Sequence, residues 1–271
     1  MYNKFSNHYT NGRRYTMGTS SHESYIRIVD GADTAVLMVH GIMSTPRHFD
    51  FILPYIPAHF SVCNILLDGH GGTVSDFSKT SMKKWRAQVL HHLTKLSQTH
   101  QKILVIGYSM GTLLTLELVE RFPQIKAMVL LNTPLKVFVK PVMSMRSLKF
   151  SFGKVNTENP VELATYNDIG IKLTPYLWQY IPTIPRFLEL LKLCRDTRPK
   201  AKSLSIPAHA YFGKKDELVS VKSALYFAYN KNVMVQVFDC TGHCYYEDTF
   251  KTAVIKSVRC FVDTLDKAKN T

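Results

Sequence analysis

Three side chains of this 271-residue chain have the types and the order needed for nucleophilic chemistry. Ser109 is the middle of Gly107-Tyr108-Ser109-Met110-Gly111, a G-x-S-x-G pattern. The apolar run Ile103-Leu104-Val105-Ile106 leads into it and an amphipathic pattern follows, which predicts strand, sharp turn and helix with the serine at the tip. The spacing has a mechanical reason. A serine lifted above a sheet edge needs a strained backbone, and small residues two before and two after it let neighbouring chain pass closely. Such strain costs ~1–3 kcal/mol and persists only where the surroundings enforce it.

A serine hydroxyl alone is a weak nucleophile; it needs a base in reach and a third group to orient that base. His243, in Asp239-Cys240-Thr241-Gly242-His243, follows a predicted strand, and Gly242 lets the backbone carry the ring over the sheet edge. Of the 11 histidines it alone sits at a strand end late enough in the chain. Asp216, in Gly213-Lys214-Lys215-Asp216-Glu217-Leu218-Val219, is the candidate acid, against the simpler reading of a turn aspartate capping the next helix. Glu217 and Asp239 are the fallback acids. The oxyanion of acyl transfer needs donors, and the backbone N–H of Met110 is one. The second is expected from the loop His40-Gly41-Ile42-Met43, where Gly41 permits the tight turn that aims the Ile42 N–H inward. His40 reads as a brace of that loop rather than a base. His70, in Asp68-Gly69-His70-Gly71-Gly72, reads as loop structure, because no companion ligands for a metal or phosphate accompany it.

The elements that must carry these residues follow from the hydrophobic pattern. Residues 25–29 form a short edge strand, and Ala35 to Val39 is an apolar run typical of a strand covered on both faces. Ser44 or Thr45 caps a helix with Pro46 at its first position, with Phe49, Ile52, Leu53 and Ile56 on one face. Strands are predicted at 62–67, 127–131, 208–212 and 233–238, and helices at 81–100, 112–121, 221–229 and 248–267. The alternation up to residue 134 is that of a parallel sheet wrapped by helices. Between 135 and 202 it breaks into a proline- and aromatic-rich stretch with no convincing strand. This reads as a mainly helical cap, whose aromatics (Phe138, Phe150, Phe152, Tyr166, Tyr176, Trp178, Tyr180, Phe187) chiefly form its own small core, a few lining a substrate cavity. The expected organisation is a polar arm at 1–24, a doubly wound α/β core at 25–134 and 203–271, and the cap at 135–202.

Composition narrows the function classes. With 34 Lys and Arg against 20 Asp and Glu the formal charge is +14, but the cations are scattered and no nucleic-acid motif is present. No nucleic-acid partner is expected; the charge implies at most a weak attraction to anionic surfaces. Five cysteines, an odd number without framework spacing, predict no disulfide scaffold. No apolar run reaches the ~18 residues of a membrane span, and residues 1–24 lack the apolar centre of a secretion signal. The expectation is a cytoplasmic protein without stable membrane insertion.

The segments His40-Gly-Ile-Met-Ser-Thr-Pro46, Asp68-Gly-His-Gly71, Gly107 to Gly111, Gly213 to Val219 and Thr241-Gly-His243 together resemble the α/β-hydrolases of the carboxylesterase and monoacylglycerol lipase group. The resemblance runs from about residue 35 to the end and implies that fold, a Ser109–His243–Asp216 triad, and an oxyanion hole from Ile42 and Met110. It implies no metal or cofactor. The implied activity is hydrolysis of carboxylic esters, short-to-medium acyl esters or a monoacylglycerol, through an acyl-enzyme. Thioester hydrolysis and acyl transfer use the same triad, and a non-catalytic scaffold that binds a ligand or protein is the alternative of another class. The chain departs from the family at Thr112, where a further glycine often follows the elbow.

Overall fold

The computed structural model describes residues 22–267. Strands β1 (Tyr25–Arg27), β2 (Thr34–Val39), β3 (Ser61–Ile65), β4 (Lys102–Tyr108), β5 (Ile125–Leu131), β6 (Ala208–Gly213) and β7 (Val233–Phe238) form one sheet in the order β1-β3-β2-β4-β5-β6-β7. Only β1 runs antiparallel to its neighbour; every other pair is parallel. Helices α1 (Val74–Ser78), α2 (Met82–Thr99), α3 (Met110–Leu116), α4 (Pro141–Ser151), α5 (Pro160–Asp168), α6 (Ile184–Asp196), α7 (Arg198–Lys202) and α8 (Asp248–Lys267) pack around it. The doubly wound α/β architecture is therefore as expected. The predicted arm at 1–24 lies almost wholly outside the described residues.

Two apolar layers cover the sheet. Leu37, Val105 and Met128 face α2 and α3, where Trp85, Val89 and Leu93 repeat at helical spacing. Met38, Ile106 and Val129 face α8, through Phe250, Val254, Val258 and Phe261, and the segment carrying Phe49 and Ile52. This two-sided burial explains why β2 is apolar from Ala35 to Val39 rather than alternating.

The helix expected after β2 is instead a pair of 3-10 turns, Pro46–Phe49 and Leu53–Tyr55. Pro54 lacks the N–H that a continuous helix would use there. Phe49, Ile52 and Ile56 are buried as predicted. The elbow helix ends at Leu116, short of the expected 121, with a separate 3-10 turn at Val119–Arg121. Thr112 and Thr115 bond back to carbonyls of the preceding turn, a competition that bends helices. Between β5 and β6 the described chain is helical, as expected of a cap. Its aromatics do not form a core of their own. Phe150 is buried, but Phe138, Phe152, Tyr166, Tyr176, Trp178 and Phe187 are exposed, because short helices separated by prolines enclose too little volume.

Gly111 and two histidines fix the loops at the carboxyl edge. A Cβ on Gly111 would collide with the Val39 carbonyl, so α3 approaches β2 only because residue 111 is glycine. The His40 ring is buried; its Nε2 accepts from Leu67 N–H at 3.0 Å, so Nδ1 carries the proton and donates to Gly41 O at 2.8 Å. His70 Nε2 likewise accepts from Met43 N–H at 3.0 Å, and Nδ1 donates to Leu67 O at 3.1 Å. Both rings are held neutral: burial drives the His40 pKa well down, and that of His70 from 6.5 to about 4. The brace role expected of His40, and the loop role of His70, match these contacts.

Gly111→Ala must displace backbone against backbone and should lower stability by ~3 kcal/mol or prevent folding, read by denaturant unfolding. Gly153→Ala, with open space around it but a φ of +69°, should cost only about 1 kcal/mol. In the unfolded chain the His70 ring titrates at 6.5, so between pH 6.5 and about 4 the unfolded state binds the extra proton and stability falls as pH falls. The denaturation midpoint should drop across that window, about 3 kcal/mol of it from His70, and drop less steeply in His70→Gln.

Candidate active site

Ser109 sits between β4 and α3 with φ 48° and ψ −121°, the left-handed strain expected of the elbow. Its own backbone is pinned on both sides. Its N–H donates to Leu131 O at 2.9 Å, and its carbonyl accepts from the Thr112 N–H at 3.0 Å and hydroxyl at 2.6 Å. Thr112, the departure from the family pattern, thus ties the first turn of α3 to the nucleophile's carbonyl. Its backbone would also lie 2.8 Å from a Cβ on Gly107, which explains the first glycine of the motif.

His243 and Asp216 meet, although 27 residues apart: His243 Nδ1 donates to Asp216 Oδ2 at 2.8 Å. The other carboxylate oxygen accepts the N–H groups of Leu218 at 2.8 Å and Val219 at 2.7 Å, so Asp216 is fixed by its own turn. Burial opposes charging of the His243 ring and is the largest single influence. The Asp216 charge and hydrogen bond, with smaller help from Asp168 and Glu217, outweigh it, and the pKa is raised above 6.5. Nε2 has no hydrogen bond to another described residue. The ring lies beside Tyr108, centroids 5.2 Å apart, one residue from Ser109.

The fallback acids lie elsewhere. Asp239 is on the surface, paired with Lys214 at 2.7 Å. Glu217 faces away from the His243 ring and accepts the backbone N–H of His243 at 3.1 Å. Cys244, next to the base, is no rival nucleophile: burial above all pushes its thiol pKa well up.

The loop that follows β2 comes close to the serine. A Cβ on Gly41 would stand 2.9 Å from Ser109 Cβ, so this glycine lets the loop reach the nucleophile. The Ile42 N–H makes no hydrogen bond among the described residues. Met110 opens α3, where a backbone N–H has no intrahelical acceptor. Met43 follows at φ 56°, held by His70 on its N–H and by Gly170 N–H on its carbonyl at 2.7 Å.

Several residues of the site carry no sequence motif. Asn132, at φ 50° past β5, donates Nδ2 to the carbonyl of His243 at 3.1 Å, and the Tyr108 hydroxyl donates to the same carbonyl at 3.2 Å. Asp168 of α5 accepts from Ser44 Oγ at 2.9 Å and pairs with His48 Nδ1 at 2.7 Å. His48 in turn stacks on Tyr108 with centroids 3.5 Å apart. The strand-end place of Asn132 was its only local signal. Among the described residues no group of three or more His, Cys, Asp or Glu is placed to hold a metal ion. None of their helices is long and apolar enough to cross a membrane.

A thermostable monoacylglycerol lipase from Bacillus sp. (strain H-257) is 29% identical over 197 residues, covering 70% of this chain and 73% of the relative. One solved chain from work on the metagenome-derived lipolytic enzymes LipS and LipT superposes with a TM-score of 0.67 at 17% identity, covering 90% of this chain and 98% of its own. The Paleococcus ferrophilus monoacylglycerol lipase gives a TM-score of 0.60 at 16% identity over 88% of this chain and 99% of its own. At such identities the structural likenesses speak for the fold. The family described as serine aminopeptidase, S33 (Hydrolase_4) matches residues 30–248, most of the chain. The chain, with Ser109 inside that match, belongs to this α/β-hydrolase family.

Proposed function

We propose that this protein hydrolyses carboxylic esters through an acyl-enzyme on Ser109. The observation that carries the reading is the buried 2.8 Å bond from His243 to a carboxylate, on a ring packed beside Tyr108, the residue before a strained serine. His243 Nε2 takes the Ser109 proton as Oγ attacks the acyl carbonyl carbon. Asp216 keeps the proton on Nδ1, so Nε2 presents its lone pair, and stabilises the imidazolium that forms. The Ile42 and Met110 N–H groups receive the oxyanion, a contribution on the order of 10²-fold or more for each donor. The intermediate collapses as His243 returns its proton to the departing alkoxide. Water, deprotonated by the same nitrogen, then attacks the acyl-enzyme and releases the acid.

Short-to-medium acyl esters and monoacylglycerols are the proposed substrates. The likeness to a bacterial monoacylglycerol lipase supports that class.

Ser109→Ala should fold normally and lose ~10³-fold or more of kcat on p-nitrophenyl butyrate. A fluorophosphonate probe should label the wild type at Ser109 alone. A Ser109→Ala protein that keeps its esterase activity sinks this reading.

A further inference from the structure

Glu217 follows the candidate acid directly, yet both its carboxylate oxygens are engaged away from the ring. Oε2 accepts the backbone N–H of His243 at 3.1 Å. Oε1 accepts from Arg146 Nη1 at 2.7 Å, across 71 residues, from helix α4 of the cap. The pair is largely buried, with 15% of the Arg146 and 9% of the Glu217 side chain exposed. Gly242 makes room for it: a Cβ there would stand 3.1 Å from Oε2. The chain entering the cap is also zipped to the acid loop. Phe138 and Lys140 N–H donate to Leu218 and Glu217 carbonyls, each at 2.9 Å, and Ser220 N–H donates to Lys136 O at 2.8 Å.

We propose that Glu217 is a positioning residue through which the cap sets the place of the catalytic histidine, with Arg146 fixing one carboxylate oxygen while the other holds the His243 backbone. This rests on the reading of His243 as the base of Ser109. Burying two charges is costly, and an apolar pair of the same volume is often as stable. The ion pair therefore adds more to geometry than to stability. Only a carboxylate can serve both partners, since each of its oxygens accepts. An amide cannot: its oxygen satisfies either Arg146 or the His243 N–H, and its NH2 then faces a donor.

That asymmetry gives a test a purely structural role would not pass. Glu217→Gln should lower kcat on a p-nitrophenyl ester by ~10-fold or more with little change in KM, because the ring is displaced while the acyl pocket is not. In Arg146→Met/Glu217→Gln the amide is freed from the guanidinium and turns its oxygen to the His243 N–H, so the second substitution should restore most of the lost kcat. Arg146→Met/Glu217→Leu also leaves no buried charge unpaired and should fold, but it offers no acceptor and should stay as low as Glu217→Gln. The inference is overturned if the two double variants have equal kcat, or if Glu217→Gln matches the wild type. Fluorophosphonate labelling of the wild type separates the two levels. With Ser109 labelled, equal variants overturn the positioning role alone; with folded wild type unlabelled, the catalytic reading and the positioning role fall together.

Discussion

The whole site hangs on one close approach, that of Gly111 to the carbonyl of Val39. It brings the amino end of α3 against the edge of β2 and leaves Ser109 no relaxed conformation. Strain of ~1–3 kcal/mol at the serine persists where the packed surroundings enforce it. The bonds from Ser109 N–H to β5 and from Thr112 to the Ser109 carbonyl close the arrangement. The helix start and the loop past β2 are then side by side, so the two candidate oxyanion donors come with the elbow rather than being added to it.

Around this fixed point, loops that would otherwise be soft are held by neutral imidazoles and by carboxylates. His40 and His70 act as bifunctional braces, each ring accepting from one N–H and donating to a carbonyl. They do this only while uncharged, which burial ensures. His243, also buried, is pushed the other way. Asp216, Asp168 and Glu217 all favour its charged form, which suits a ring that must carry a proton in mid-reaction. The fold thus assigns opposite electrostatic settings to histidines that share the same edge of the sheet.

How far the sequence foretold this depends on the range of each signal. The strand-turn-helix at Ser109, the strand-end positions of Asp216 and His243, and the glycines beside Ile42 and His243 are local patterns; the structure bonds His243 to Asp216 and sets Gly41 against Ser109. Asn132, Asp168 and the Arg146–Glu217 pair were not legible, since they act through partners 71 to 124 residues away. Glu217 was weighed only as a substitute acid, because adjacency to Asp216 says nothing about which way a carboxylate turns. Local propensity overstated helix where proline or threonine intervened, at 46–56 and after Leu116. It also took the cap aromatics for a core, whereas most of them face outward.

The central claim is that Ser109 becomes covalently acylated by an ester and is freed by water. Rapid-quench mass spectrometry during turnover of a p-nitrophenyl ester tests it most directly. The account predicts an acyl adduct on the peptide containing Ser109, formed in a burst with p-nitrophenol release and decaying at the steady-state rate. Turnover with no adduct on that peptide, or with the acyl group on another residue, would contradict it.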